Sequence, residues 1–182
     1  MHQNVTRALA ALMTTLSLTA VVGCSDGESE VMPKLPKRIC WGVFTAGEIA
    51  PLMPTGKKAE MSSDPFLLNE EMDSATCNLY IDGRHGMLVN AKLLDYEGQV
   101  DWAPWDKANP QPIDVGARGL TWGTGAGTHI VCDASKSPAD PGKYIELRLS
   151  TDRSPDEKRL RAALPGLLQR MVDFAEHELN CS

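Results

Sequence analysis

The sequence predicts an α+β domain: an antiparallel β-sheet with a short N-terminal helix and a long C-terminal amphipathic helix packed on one face. Three observations predict it. Runs with period-two alternation follow one another between residues 76 and 150. After them, Leu160, Leu164, Leu167, Leu168, Met171, Phe174, Ala175 and Leu179 recur at helical spacing. The chain has 182 residues, 42% hydrophobic and 23% charged, an ordinary globular balance.

Each element has a local reason. Residues 45–53 carry a possible capping box, Thr45-x-x-Glu48, and an apolar side of Ile49, Leu52 and Met53. Pro51 and Pro54 keep this helix short. Residues 55–75 are polar and irregular around an apolar island, Phe66-Leu67-Leu68. In 76–82, Cys77, Leu79 and Ile81 share one strand face. Gly83-Arg84 turns the chain into a second strand, 85–94, where Met87, Val89, Ala91 and Leu93 share a face. Residues 95–112 form a loop rich in Pro and aromatics. A strand over 113–122 is broken by Gly116 and Gly119. Gly123 to Gly127 is a flexible turn, 128–133 a further strand and 134–142 a loop. Residues 143–150 alternate, with Ile145, Leu147 and Leu149 inward. Ser154 then caps the final helix and Pro155 takes its first position. Pro165-Gly166 is expected to kink or interrupt that helix.

The first residues read as an address. Residues 1–7 hold one fixed positive charge, Arg7, and no acid, and residues 8–22 are mostly Ala, Leu, Thr and Val. That is the n-region and h-region of a secretory signal peptide, residues 1–23. It ends in Val21-Val22-Gly23-Cys24, which resembles the lipobox of bacterial lipoproteins. The resemblance implies cleavage before Cys24 and lipidation of its thiol. Acyl chains contribute about 0.8 kcal/mol per buried CH₂, so two or more anchor stably. Residues 24–37 would then be a lipid-anchored flexible tether, and 38–182 a single globular domain on the extracytoplasmic face of the membrane. Eighteen bases against 24 acids give a net charge of −6. No basic stripe suits nucleic acid, and no apolar run reaches the length of a membrane span.

With Cys24 taken by lipid, Cys40, Cys77, Cys132 and Cys181 remain. An even count in an exported domain suggests two disulfides. Of three possible pairings, Cys40–Cys77 with Cys132–Cys181 is favoured, because each ties a terminal segment to an expected strand. No local spacing supports a metal site, and no cofactor motif is present.

The chain also resembles small secreted lipoproteins of actinobacteria whose domain has no assigned function. The likeness is carried by the lipobox, by Cys40-Trp41-Gly42-Val43-Phe44-Thr45 leading into Glu48-Ile49-Ala50-Pro51-Leu52, by the strand with Cys77 and by a helix ending in a late Cys. It implies location and architecture. It carries no catalytic residue across.

Candidate chemistry is sparse. His85 heads a strand, His129 lies mid-strand and His177 sits on the polar side of the helix, which reads as three rim histidines. His129, Asp133 and Ser135 make a poor triad, since four strand residues span about 13 Å and no nucleophile elbow is present. Gly123-x-Gly125-x-Gly127 lacks the Lys and strand–helix context of a phosphate loop. Asp152, Asp156 and Glu157 suit helix capping better than calcium. Trp102 and Trp105, around Ala-Pro in a loop, are the residues picked for binding, by stacking on a sugar or gripping a partner. The expectation is a non-catalytic envelope lipoprotein that binds a partner protein or small ligand. The alternative is a cell-wall-acting enzyme, and a third reading is a structural envelope component.

Overall fold

In a computed structural model, residues 31–96, 109–133, 143–152 and 154–181 are described. Residues 1–23, expected to be a signal peptide, Cys24, expected to carry the lipid, and the Trp102 and Trp105 candidates for binding lie outside them.

The fold is α+β. A small antiparallel pair, β1 (Arg38–Ile39) and β2 (Phe44–Thr45), leads into α1 (Ala46–Ile49) and a 3₁₀ turn, Ala50–Leu52. The main sheet follows: β3 (Ala59–Ser63), β4 (Ser74–Ile81), β5 (Arg84–Leu94), β6 (Gln111–Ile113), β7 (Gly119–Trp122), β8 (Gly125–Asp133) and β9 (Lys143–Thr151). A long helix, α2 (Glu157–Leu179), closes the chain. The seven strands run in the order β3-β4-β5-β9-β8-β7-β6, and every pair is antiparallel. The last strand therefore enters the middle of the sheet, between β5 and β8.

Alternation decides the inner face. Cys77, Leu79, Met87, Val89, Ala91, Ile145, Leu147 and Leu149 are fully or almost fully buried there. Leu160, Leu164, Leu167, Leu168, Met171, Val172 and Ala175 of α2 are buried in the same core. α2 packs over β8, β9 and β7. The N-terminal segment adds Ile39, Phe44, Ile49, Leu52 and Met53 to that core. Trp41, Phe66 and Phe174 join it to α2, with ring centroids 4.8 to 6.4 Å apart. Such pairs add about 0.5–1.5 kcal/mol beyond their buried area.

The disulfides are Cys40–Cys77 and Cys132–Cys181, the two pairs that the sequence favours. One fastens the N-terminal layer to β4, the other the end of α2 to β8. Rings of 37 and 49 residues' separation contribute about 4 kcal/mol each in the chain-entropy model. The first also holds a left-handed turn, in which Cys40, Trp41 and Gly42 have φ of 45°, 57° and 86°.

Several expectations change. Packing begins ahead of residue 38: Leu35 joins the core, and the Val31 carbonyl accepts from the Gly56 N–H at 3.0 Å. Residues 55–75 hold a strand, β3, which lacks alternation because it is an exposed edge. Asp82 and Gly83, with φ of 50° and 73°, make the hairpin turn, so β5 starts at Arg84. The glycines after Trp122 are not all turn: β8 starts at Gly125, where a Cβ would lie 2.7 Å from the Trp122 ring. Asp156, not Ser154, caps α2, accepting from the Arg159 N–H at 2.9 Å. Pro165 sits inside one continuous helix. Leu164 and Leu167, on either side of it, are anchored on the sheet, which offsets the lost hydrogen bond.

Candidate binding face

The strands that bury one face present the other. Along β9, Tyr144, Glu146, Arg148 and Ser150 alternate with the inward leucines. Register places their neighbours. Glu146 stands opposite His129 of β8 and Lys92 of β5; Arg148 stands opposite Gly127 and Asn90. Asn90 in turn faces Thr76 of β4, and Lys92 faces Ser74. Four adjacent strands thus lay two polar rows across the outer face.

The rows are unequal in burial. At one side, His129 is 1% exposed and Glu146 is 7% exposed. Arg148 donates from an Nη to Glu146 Oε1 at 2.7 Å, with its own side chain 34% exposed. A paired charge, Arg148 with Glu146, is therefore seated within the sheet face beside the buried His129. Such groups are tolerated when paired, and removing one partner leaves a costly charge. At the other side, Thr76, Asn78 and Asn90 are half-buried, and Ser74 and Lys92 are exposed. Asn90 Nδ2 donates to Thr76 Oγ1 at 3.0 Å, which fixes the amide plane. Shallow cavities flank the face. One of about 170 Å³ lies between His85, Leu88, Ser150 and Asp152. Another of about 500 Å³ lies between Glu70, Asp73, Lys92, Leu94 and Asp95.

The other histidines do not converge on His129. His85 stands at the hairpin end of β5 with its ring 4.7 Å from Tyr80. His177 is on α2, across the sheet, with Nδ1 3.2 Å from Glu178 Oε1. All four described cysteines are disulfide-bonded. Among the described residues no group of three or more His, Cys, Asp or Glu is placed to hold a metal ion. No described helix is long and apolar enough to cross a membrane.

Two carboxylates are held below their ordinary range, both by hydrogen bonds and both outside this face. Glu48 accepts from the Thr45 hydroxyl at 2.7 Å and the Thr45 N–H at 2.9 Å, and Arg170 lies beside it. Asp82 accepts from the backbone N–H groups of Lys57 and Lys58. Their roles are a cap and a turn clamp.

The outer-face rows escape a reading of the sequence. Asn90, Glu146 and His129 lie far apart in the chain, and only strand order and register bring them into line. Fold and site together define the class: a disulfide-bonded α+β domain with one sheet face covered and the other polar. No protein-family model matches the chain, and no curated protein or solved structure matches it.

Proposed function

We propose that this is an exported, lipid-anchored, non-catalytic protein of the cell envelope, whose domain binds a small ligand or a partner protein on the outer face of its sheet. The anchor rests on the sequence around Cys24. The two disulfides agree with an oxidising, extracytoplasmic setting. The observation that carries the binding reading is the outer face. Paired charges are seated in it beside an open row of amide, hydroxyl and amine groups from Thr76, Asn78, Asn90 and Lys92. Rigid strands hold these groups, and a rigid array of donors and acceptors loses little entropy on binding.

Native mass spectrometry tests the reading on the protein extracted from its own membrane in mild detergent. The expected result is an adduct that leaves on denaturation and is lost from an Asn90→Ala, Lys92→Ala variant. In-cell cross-linking from Lys92 covers protein partners. A bare chain with no cross-linked product would sink the binding reading. The intact mass of the same sample reports the acyl group on Cys24.

A further inference from the structure

The two edges of the main sheet are guarded differently. An open edge strand invites pairing with another chain, and proteins blunt it with Pro, short length or a covering segment. β6, at one edge, has three residues with Pro112 at its centre. β3, at the other edge, has five residues and no Pro, and four of the five are exposed.

Hydrogen bonds fix which way β3 points its backbone. The Lys58 carbonyl accepts from the Asp82 N–H, and the Asp64 N–H donates to the Thr76 carbonyl, both at 2.9 Å. Antiparallel bonding alternates along a strand, so residues 58, 60, 62 and 64 face β4. Ala59, Met61 and Ser63 therefore aim their N–H and C=O groups at the open edge. Among the described residues no other strand or backbone bond takes them up. Exposed apolar side chains follow the same edge. Met61 is 41% exposed at its middle, Leu67 is 55% exposed after it, and Val31, tied to Gly56, is 62% exposed before it.

The edge is complementary to itself. A second antiparallel β3 must pair outward residues with outward residues. With Met61 opposite Met61 of the copy, Ala59 stands opposite Ser63, Glu60 opposite Ser62 and Lys58 opposite Asp64. Lys58 already reaches Glu60 of its own strand at 2.8 Å, as an exposed surface pair. Asp64 of the copy, exposed in its turn, adds a second carboxylate to that lysine. The next allowed registers on either side set Glu60 opposite Glu60, or Glu60 opposite Asp64, and like charges directly opposite are destabilising. The favoured register also brings the Val31 end of one chain beside the Leu67 end of the other.

We propose that β3 is a self-association edge, on which a second copy of this chain pairs antiparallel about Met61 and joins two seven-stranded sheets into one. The twofold axis then runs through the sheet, so the outer faces of both copies lie on the same side and form one double-width polar surface. The contact is small beside the about 800 Å² per partner of a standard interface, so the dimer dissociates on dilution. The proposal needs neither the anchor nor a ligand on the outer face.

The test is disulfide trapping of the full-length protein in mild detergent, with two single variants, Glu60→Cys and Ser62→Cys. Residues 60 and 62 of two copies form a non-hydrogen-bonded pair with Cα atoms about 4.5 Å apart, within disulfide reach. Residue 60 against 60, or 62 against 62, is a diagonal of about 7–8 Å. Oxidation of the mixed variants should therefore give covalent dimer about tenfold above either variant alone. Adding Ser63→Pro to both removes an outward N–H and no bond to β4, and should lower the yield about tenfold. Circular dichroism confirms that this variant is folded, and where it is not, the comparison of mixed with single variants decides. No covalent dimer, equal yields from mixed and single variants, or a folded Ser63→Pro pair that cross-links as well as its parent overturns the proposal. So does a disulfide to a different polypeptide.

Discussion

The two faces of the sheet are built from the same strands and obey different rules. The inner face is apolar on β4, β5, β9 and β8, and it is covered twice, by α2 and by the N-terminal segment. Disulfides fasten both covers. The outer face carries hydroxyls, amides and a paired charge, and its burial falls from His129 to Ser74. Adjacent residues of one strand, Leu147 and Arg148, therefore face opposite environments. Hydrophobic burial specifies the fold on one side, which frees the other side to vary in chemistry.

The largest test of this contrast removes the clamp on the inner cover. Replacing Cys132 and Cys181 together by Ala should cost about 4 kcal/mol of unfolding free energy, read by denaturant titration. Loss of under 1 kcal/mol would mean that α2 needs no fastening to the sheet. Next comes Leu147→Ala, which opens a cavity beneath a residue with no exposed surface. A loss of about 3 kcal/mol is expected. The neighbouring change, Arg148→Gln, should cost about 1–2 kcal/mol. It strips Glu146 of its partner, but water reaches the site to screen the effect. If Arg148→Gln cost as much as Leu147→Ala, both faces would be core and the contrast would be broken.

A smaller effect lies within the inner cover. Glu48 accepts both bonds from Thr45 and pairs with Arg170 at 2.8 Å, linking α1 to α2. Its folded-state pKa is held down by those bonds. Its contribution is therefore present above the unfolded carboxylate value of about 4.3 and is lost as pH falls through the folded value. Wild type should exceed Glu48→Gln in Tm near neutrality, and the two should converge in acid. A constant gap across the series would show that packing, not charge, separates them.

The inner face was legible in the sequence and the outer face was not, for a physical reason. Cys77, Leu79 and Ile81, or Ile145, Leu147 and Leu149, advertise a buried side because alternation is local. The apolar stripe of α2 does so too, and it keeps Pro165 inside one helix against the local preference for a break. β3 carries no such signal, since an edge strand exposed on both sides has nothing to alternate. The insertion of β9 between β5 and β8 follows from packing between segments some fifty residues apart. The row of Asn90, Lys92, Glu146 and His129 exists only through that insertion. The Trp102 and Trp105 candidates stand outside the described residues.

The smallest expected effect is the most discriminating for function. Asn78 lies on the outer face of β4, opposite Leu88, and its amide makes no hydrogen bond among the described residues. Both of its strand neighbours, Cys77 and Leu79, are fully buried. An asparagine is a poor strand former, so a sheet selected for stability alone would favour Thr or Val there. Asn78→Thr should therefore leave stability unchanged within about 0.5 kcal/mol or raise it slightly. The same variant should lose the adduct that leaves on denaturation. Stability gained while binding is lost would mark the residue as kept for contact with something outside the chain. A clear loss of stability would instead make Asn78 a structural residue, and the open part of the outer face would then differ from the inner face only in polarity.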